Sequence, residues 1–170
     1  MEAELKSKSD NFIQLKNNDD ILRLKIIDAE GNDTGEYLEF DLEDIELPLK
    51  YQDLVEKDKA SRIQFKNQLI IIDKKQDHKG KKLYSANEEA KLKATTEFFK
   101  KQVEIYNGFL GENGVEKLLN GRKLGWTTLK EIDEILEKQV KPHLQKNAKD
   151  IKKKIMEKYS NTEKRDDVIE

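Results

Sequence analysis

The chain has 170 residues, of which 40% are charged and 35% hydrophobic, so its core is modest, and long amphipathic helices with charged outer faces suit it better than a thick sandwich or barrel. Its 33 basic and 35 acidic residues nearly cancel, giving a formal net charge of -2, which leaves no global field to draw it onto nucleic acid or an acidic membrane. The absence of cysteine excludes a disulfide framework, thiolate metal sites and cysteine nucleophiles.

Residues 1–20 are polar and charged, with Phe12, Ile13 and Leu15 as possible apolar anchors. They read as a loose arm able to order on a partner, and they lack the apolar core of a secretory signal. The longest apolar runs are as short as Leu69 to Ile72, too short to span a membrane. A cytoplasmic protein with no membrane association is expected.

In residues 21–28, Leu22, Leu24 and Ile26 alternate with Arg23 and Lys25, the pattern of a half-buried strand. Residues 30–35, Glu-Gly-Asn-Asp-Thr-Gly, supply turn chemistry. Residues 36–41 alternate again, with Leu38 and Phe40 on one face. A β-hairpin over 21–41 is predicted. Two strands alone are marginal in water, so it must pack on helices or join another sheet.

Pro48 suits the first turn of a helix. Residues 49–60 read as a short helix carrying Leu54 and Val55. Residues 61–73 read as its bent continuation or as a second helix, and the β-branched Ile70-Ile71-Ile72 fits a short strand equally well. Residues 74–82, with five lysines, His78 and Gly80, form a basic loop. Ser85 and Glu88 make a capping box, opening a helix over 86–108 with a stripe of Leu92, Phe99, Val103, Tyr106 and Leu110, widened by Phe98, Ile105 and Phe109.

Gly111, Gly114 and Gly121 bracket a short helical stretch, 115–119. Thr128 and Glu131 form a second capping box. The last helix carries Leu129, Ile132, Leu136, Val140, Leu144, Ala148, Ile151 and Ile155, every step three or four residues. Pro142 should kink or split it near Lys141. Over 129–159 such a helix is roughly 45 Å long, so part of it projects or packs on another copy. Residues 160–170 read as a charged tail. The expected fold is therefore mainly α (α+β): a single domain over 21–159, with an N-terminal hairpin, helices over 48–159 and a long C-terminal helix.

Catalytic groups are scarce. His78 and His143 read as exposed, and no serine sits in a nucleophile-elbow context. Residues 28–49 hold nine Asp or Glu and no Lys or Arg, but they do not keep the alternating ligand order of a calcium loop. They read as a solvated rim or as an electrostatic docking face through Glu39, Asp41, Glu43 and Asp44. The basic loop lacks the aromatics of a nucleic-acid platform. Trp126, the only tryptophan, reads as a staple at the entry of the last helix or as an interface anchor.

Several features in order carry a resemblance. They are the Gly-Asn-Asp-Thr-Gly turn at 31–35, Phe40-Asp41, the helix around 51–58, Phe109-Leu110-Gly111-Glu112-Asn113-Gly114, Leu118-Leu119-Asn120-Gly121-Arg122, Pro142-His143 and Lys158-Tyr159. Over 21–159 the arrangement resembles the tail assembly chaperones of long-tailed, siphovirus-type bacteriophages and related prophages of Gram-positive bacteria. The basic 74–82 loop and the long polar arm depart from the usual members.

The resemblance implies a non-catalytic, cofactor-free protein of the host cytoplasm, absent from the finished virion. It would coat the tape-measure protein and recruit tail-tube subunits. A longer product made by ribosomal frameshifting would extend from within 160–170. The partner-binding residues expected from the sequence itself are Trp126, Leu136, Val140, Leu144, Ile151, Ile155 and Tyr159, with self-association into a homo-oligomer. The competing expectations are a structural tail or connector subunit retained in the virion, and a metal-dependent hydrolase or nuclease built on the acidic hairpin.

Overall fold

A computed structural model of the chain describes residues 20–166; the arm expected over 1–20 lies almost entirely outside them. The hairpin is present as β1 (Ile21–Ile27) and β2 (Asp33–Asp41), paired antiparallel. Leu22 faces Phe40 and Leu24 faces Leu38 across the ladder, so the period-two pattern places these apolar side chains on one face.

The tight turn lies earlier than predicted. The Asp28 carbonyl accepts from the Gly31 N–H at 3.1 Å, and the Asp28 N–H donates to the Asn32 carbonyl at 2.9 Å, with Gly31 at φ +86°. The second glycine of the motif, Gly35, instead sits inside β2 where the register shifts between Lys25 and Ile27. There the Thr34 hydroxyl donates to the Ile26 carbonyl at 2.8 Å.

Residues 47–73 form one uninterrupted helix, α1 (Leu47–Asp73), with Pro48 in its first turn. It runs antiparallel to α2 (Ala86–Leu110): Ser61 meets Gln102, Phe65 stacks on Phe98 at 4.5 Å, and Asp73 pairs with Lys91. The isoleucine triplet is helical because burial of Ile72 (6% exposed) and the ties at that end outweigh a β-branched penalty of a few tenths of a kcal/mol per residue. The basic loop is itself anchored. Asp77 Oδ1 accepts from the Asn87 N–H at 3.0 Å, and Asn87 Nδ2 donates to the Lys75 carbonyl at 2.9 Å.

The Ser85 cap forms as predicted. Ser85 Oγ accepts from the Glu88 N–H at 3.2 Å, and Glu88 Oε2 accepts from the Ser85 N–H at 2.7 Å. Replacing Ser85 with alanine is expected to cost about 1 kcal/mol of stability, read by urea denaturation. The Ser85 N–H holds the Glu88 carboxyl below its ordinary 4.5. Its contribution is therefore complete above pH 4.5 and is lost as pH falls through the lowered value. The gap in urea midpoint between the native chain and Glu88→Gln should close in that acid range.

The buried face of α2 is rotated from the predicted stripe. Ala94, Phe98, Gln102, Tyr106, Phe109 and Leu110 are buried, whereas Leu92 is 48% exposed and Phe99 and Val103 are half-buried. A run rich in apolar residues on adjacent faces does not say which face its neighbours occupy.

At the α2–α3 corner, α3 (Gly114–Leu119) begins where Asn107 Oδ1 accepts from the Val115 N–H at 2.8 Å. A Cβ on Gly114 would overlap Leu110 Cβ, itself in the core. Gly114→Ala is expected to destabilise by about 2 kcal/mol through overpacking, measured by thermal melting.

The last helix starts two residues before the predicted cap, as α4 (Trp126–Ile135). Thr128 does not cap it from outside; its Oγ1 accepts from the Gly125 N–H at 2.8 Å from within the first turn. A π-helical turn (Leu136–Val140) follows, then α5 (Lys141–Asp166). Pro142 supplies the reason: it has no N–H to donate and its ring crowds the preceding turn, so the chain widens by one residue there instead of breaking. The Lys141 N–H accordingly donates to the Leu136 carbonyl, five residues back. The helix also continues through the expected tail as far as Asp166.

One core joins these parts: Ile26, Leu38 and Phe40 of the hairpin, Leu47 and Leu54 of α1, the C-terminal half of α2, Val115 and Leu119 of α3, and Leu129 to Leu144 of the long helix. Phe40 stacks on Phe109 at 5.3 Å, and Tyr51 meets the same ring edge-on at 5.4 Å. The hairpin is stabilised by helices, as its two strands require.

Candidate functional site

Seven residues of the long helix were expected to face a partner, and the structure divides them. Leu136, Val140 and Leu144 are 4%, 0% and 3% exposed and pack in the chain's own core, so they are unavailable to a partner. The hairpin and the amino-terminal part of α1 contribute to this stretch of the core, and Asn147 Nδ2 donates to the Leu42 carbonyl one turn beyond. Beyond it the same stripe comes into the open. Ile151 is half-buried, and Ile155, Met156 and Tyr159 are 49%, 64% and 69% exposed.

Trp126 takes the first of its two expected roles, a staple at the entry of the last helix. Its ring lies 5.4 Å from Phe98, 4.7 Å from Phe99 and 5.8 Å from Phe65, pinning the start of α4 to the α1–α2 pair, yet the residue remains 55% exposed.

The four aspartates of the acidic run serve the backbone. Asp28, Asp33, Asp41 and Asp44 each accept the N–H two residues on, at 2.9 to 3.0 Å, the turn geometry that aspartate favours. Of the four expected to dock a partner, Glu39 pairs with Arg23 and Asp44 pairs with Lys50 at 3.0 Å. The Lys50 ammonium, followed by the Glu46 N–H, holds the Asp44 carboxyl below its ordinary value. Asp41 is engaged by the Glu43 N–H, while Glu43 is exposed. Much of the negative charge is thus neutralised inside the chain.

The sequence reading missed a network that ties three helices together. Arg62 Nε donates to Asp58 at 2.9 and 3.0 Å, its Nη2 donates to Asp133 at 2.9 Å and approaches Tyr106 Oη at 3.4 Å, and the Tyr106 hydroxyl donates to Asp133. Tyr106 is 2% exposed. Burial pushes its phenol well above the ordinary range, and the hydrogen bond to Asp133 reinforces this. Burial works against the Arg62 charge but is outweighed by hydrogen bonds to Asp58 and Tyr106. A compositional signal existed: only four of the 33 basic residues are arginine, and Arg23, Arg62 and Arg122 each pair with a carboxylate, the geometry that the planar guanidinium serves better than lysine.

His78 and His143 are both exposed. Among the described residues no group of three or more His, Cys, Asp or Glu is placed to hold a metal ion. No described helix is long and apolar enough to cross a membrane. An open groove of about 630 Å³ separates the hairpin from the long helix, lined by Leu24, Ile26, Leu118, Ile132, Ile135 and Lys138 among others.

The geometry offers apolar helix surface: an aliphatic and aromatic stripe on α5 that the described core stops short of covering. No family model, curated protein or solved structure matches this chain.

Proposed function

We propose that this chain is a non-catalytic tail assembly chaperone of a long-tailed bacteriophage or prophage, acting in the host cytoplasm and absent from the finished virion. In this reading it covers the helical tape-measure protein before the tube encloses it, and it brings tail-tube subunits to the assembly. The observation that carries the reading is the stripe of Ile151, Ile155, Met156 and Tyr159, left open on a helix whose preceding turns are packed in the core. Such a stripe suits docking against another helix, and the charged remainder of the surface keeps a coated assembly in solution. The motif resemblance over 21–159 supplies the phage setting.

Co-expression with the tape-measure protein of the same genome tests this. The tape-measure protein should become soluble and co-purify with the native chain, and Ile155→Asp should reduce both. Unchanged solubility would remove the reading. Mass spectrometry of purified virions should find the tail-tube protein without this chain; its presence at structural copy number would favour a tail subunit instead.

A further inference from the structure

Resting on that reading of α5, we infer that the partner of its open stripe is an acidic amphipathic helix of a different protein. Residues 146–159 carry six lysines and two carboxylates, and their arrangement is polarised. At about 100° per residue, Ile151, Ile155 and Tyr159 lie within roughly 40° of one line, and Met156 lies about 100° round from it. Lys152 and Lys149 border that line on one side, and Lys154 and Lys158 on the other. Asp150 and Glu157 fall on the far side of the helix, together with Lys146 and Lys153. The stripe is thus an apolar seam between two basic margins, the layout in which flanking charges select a helical partner.

Three of these four flanking lysines have no carboxylate partner among the described residues, while Lys158 is already engaged within the chain. Among the described residues no carboxylate pairs with Lys149, Lys152, Lys153 or Lys154, although ten other lysines form ion pairs there. A second copy is a poor occupant. Its own α5 brings the same surplus of positive charge, and much of its acidic rim is engaged by Arg23, Lys25, Lys50 and Lys117. A lipid surface is also a poor fit, because the open apolar stretch is short, running only from Ile151 to Tyr159, whereas interfacial helices bury an extended apolar face. The seam moreover continues the row of Leu136, Val140 and Leu144, already filled by packed protein. A helix bringing carboxylates to either side would extend that packing and pair the lysines.

The test uses the full chain and two fluorescein-labelled helical peptides with identical Leu/Ile seams, one with Glu and one with Lys at the flanking positions. Fluorescence anisotropy should show the Glu-flanked peptide binding at least tenfold more tightly than the Lys-flanked one. Both Ile155→Asp and the combined Lys149→Glu, Lys152→Glu, Lys154→Glu variant should weaken it at least tenfold. Circular dichroism melts of the variants should match the native chain, since these positions lie outside the core.

Equal binding of the two peptides, or none, would overturn the inference. So would sedimentation showing an Ile155-dependent dimer, Ile155-dependent binding to anionic phospholipid vesicles, or release of a masked stripe on deleting residues 1–19. Rescue of the tape-measure protein by the native chain, together with failure of the Glu-flanked peptide, would retain the chaperone reading and reject only the acidic-helix partner.

Discussion

Leu144→Ala is expected to destabilise the chain by about 3 kcal/mol, lowering the melting temperature by about 9 °C for a chain of this size. Leu144 is 3% exposed, at the end of the row that seals the long helix against the hairpin and α1. Truncation there removes apolar contact and leaves a cavity that the surrounding structure closes only in part. Three turns farther along, Ile155→Ala should change stability by less than about 0.5 kcal/mol, because Ile155 is 49% exposed. Urea denaturation of the two variants measures where folding ends and an available surface begins. Comparable losses from both would mean that α5 is held by its own chain throughout, leaving no stripe to offer.

The second large effect is expected at Asp133. It receives both Arg62 and the Tyr106 hydroxyl, so Asp133→Ala deprives a buried phenol and a half-buried guanidinium of a partner at once. Hydrogen bonds to charged groups contribute about 1.5–3 kcal/mol. The Asp133 side chain is 40% exposed, and water replaces part of what is lost. A cost of about 2 kcal/mol is therefore expected. Tyr106→Phe should cost about 1 kcal/mol, and the double variant should fall short of the sum of the single losses by about 1 kcal/mol, because both remove the same bond. Additivity within about 0.3 kcal/mol would show that the hydroxyl and the carboxylate are energetically independent.

This network also explains why a highly charged chain can hold three helices in one arrangement. Asp58 and Arg62 are one turn apart on α1, but Arg62 and Asp133 are 71 residues apart. Arg62 reaches across to α4 while Tyr106 closes the triangle from α2. The nearby apolar core is small, and the polar contacts add a directional requirement that apolar packing alone does not impose.

Local chemistry was legible in the sequence. Alternation in Leu22, Leu24, Leu38 and Phe40 specified the buried face of the hairpin, because successive strand side chains point to opposite sides. Ser85 and Glu88 marked a helix start, because their oxygens can reach two N–H groups that the helix leaves free. Pro142 marked an irregularity, because proline has no N–H to give; the irregularity took the form of a π turn where a kink or split was expected. Each of these rests on a few neighbouring residues and on backbone geometry.

What the tertiary structure alone decided was coverage. The three-to-four spacing from Leu129 to Ile155 is continuous, yet Leu136, Val140 and Leu144 are sealed and Ile155 is open, because the hairpin and α1 end where they do. The face of α2 that turned inward, through Ala94 and Gln102, was chosen by the helix laid against it. The aspartates of the acidic run fold back onto their own turns, a use that the count of charges alone does not reveal. Helical period is a property of the segment itself, whereas burial depends on which remote segments come to lie on it and how far they extend.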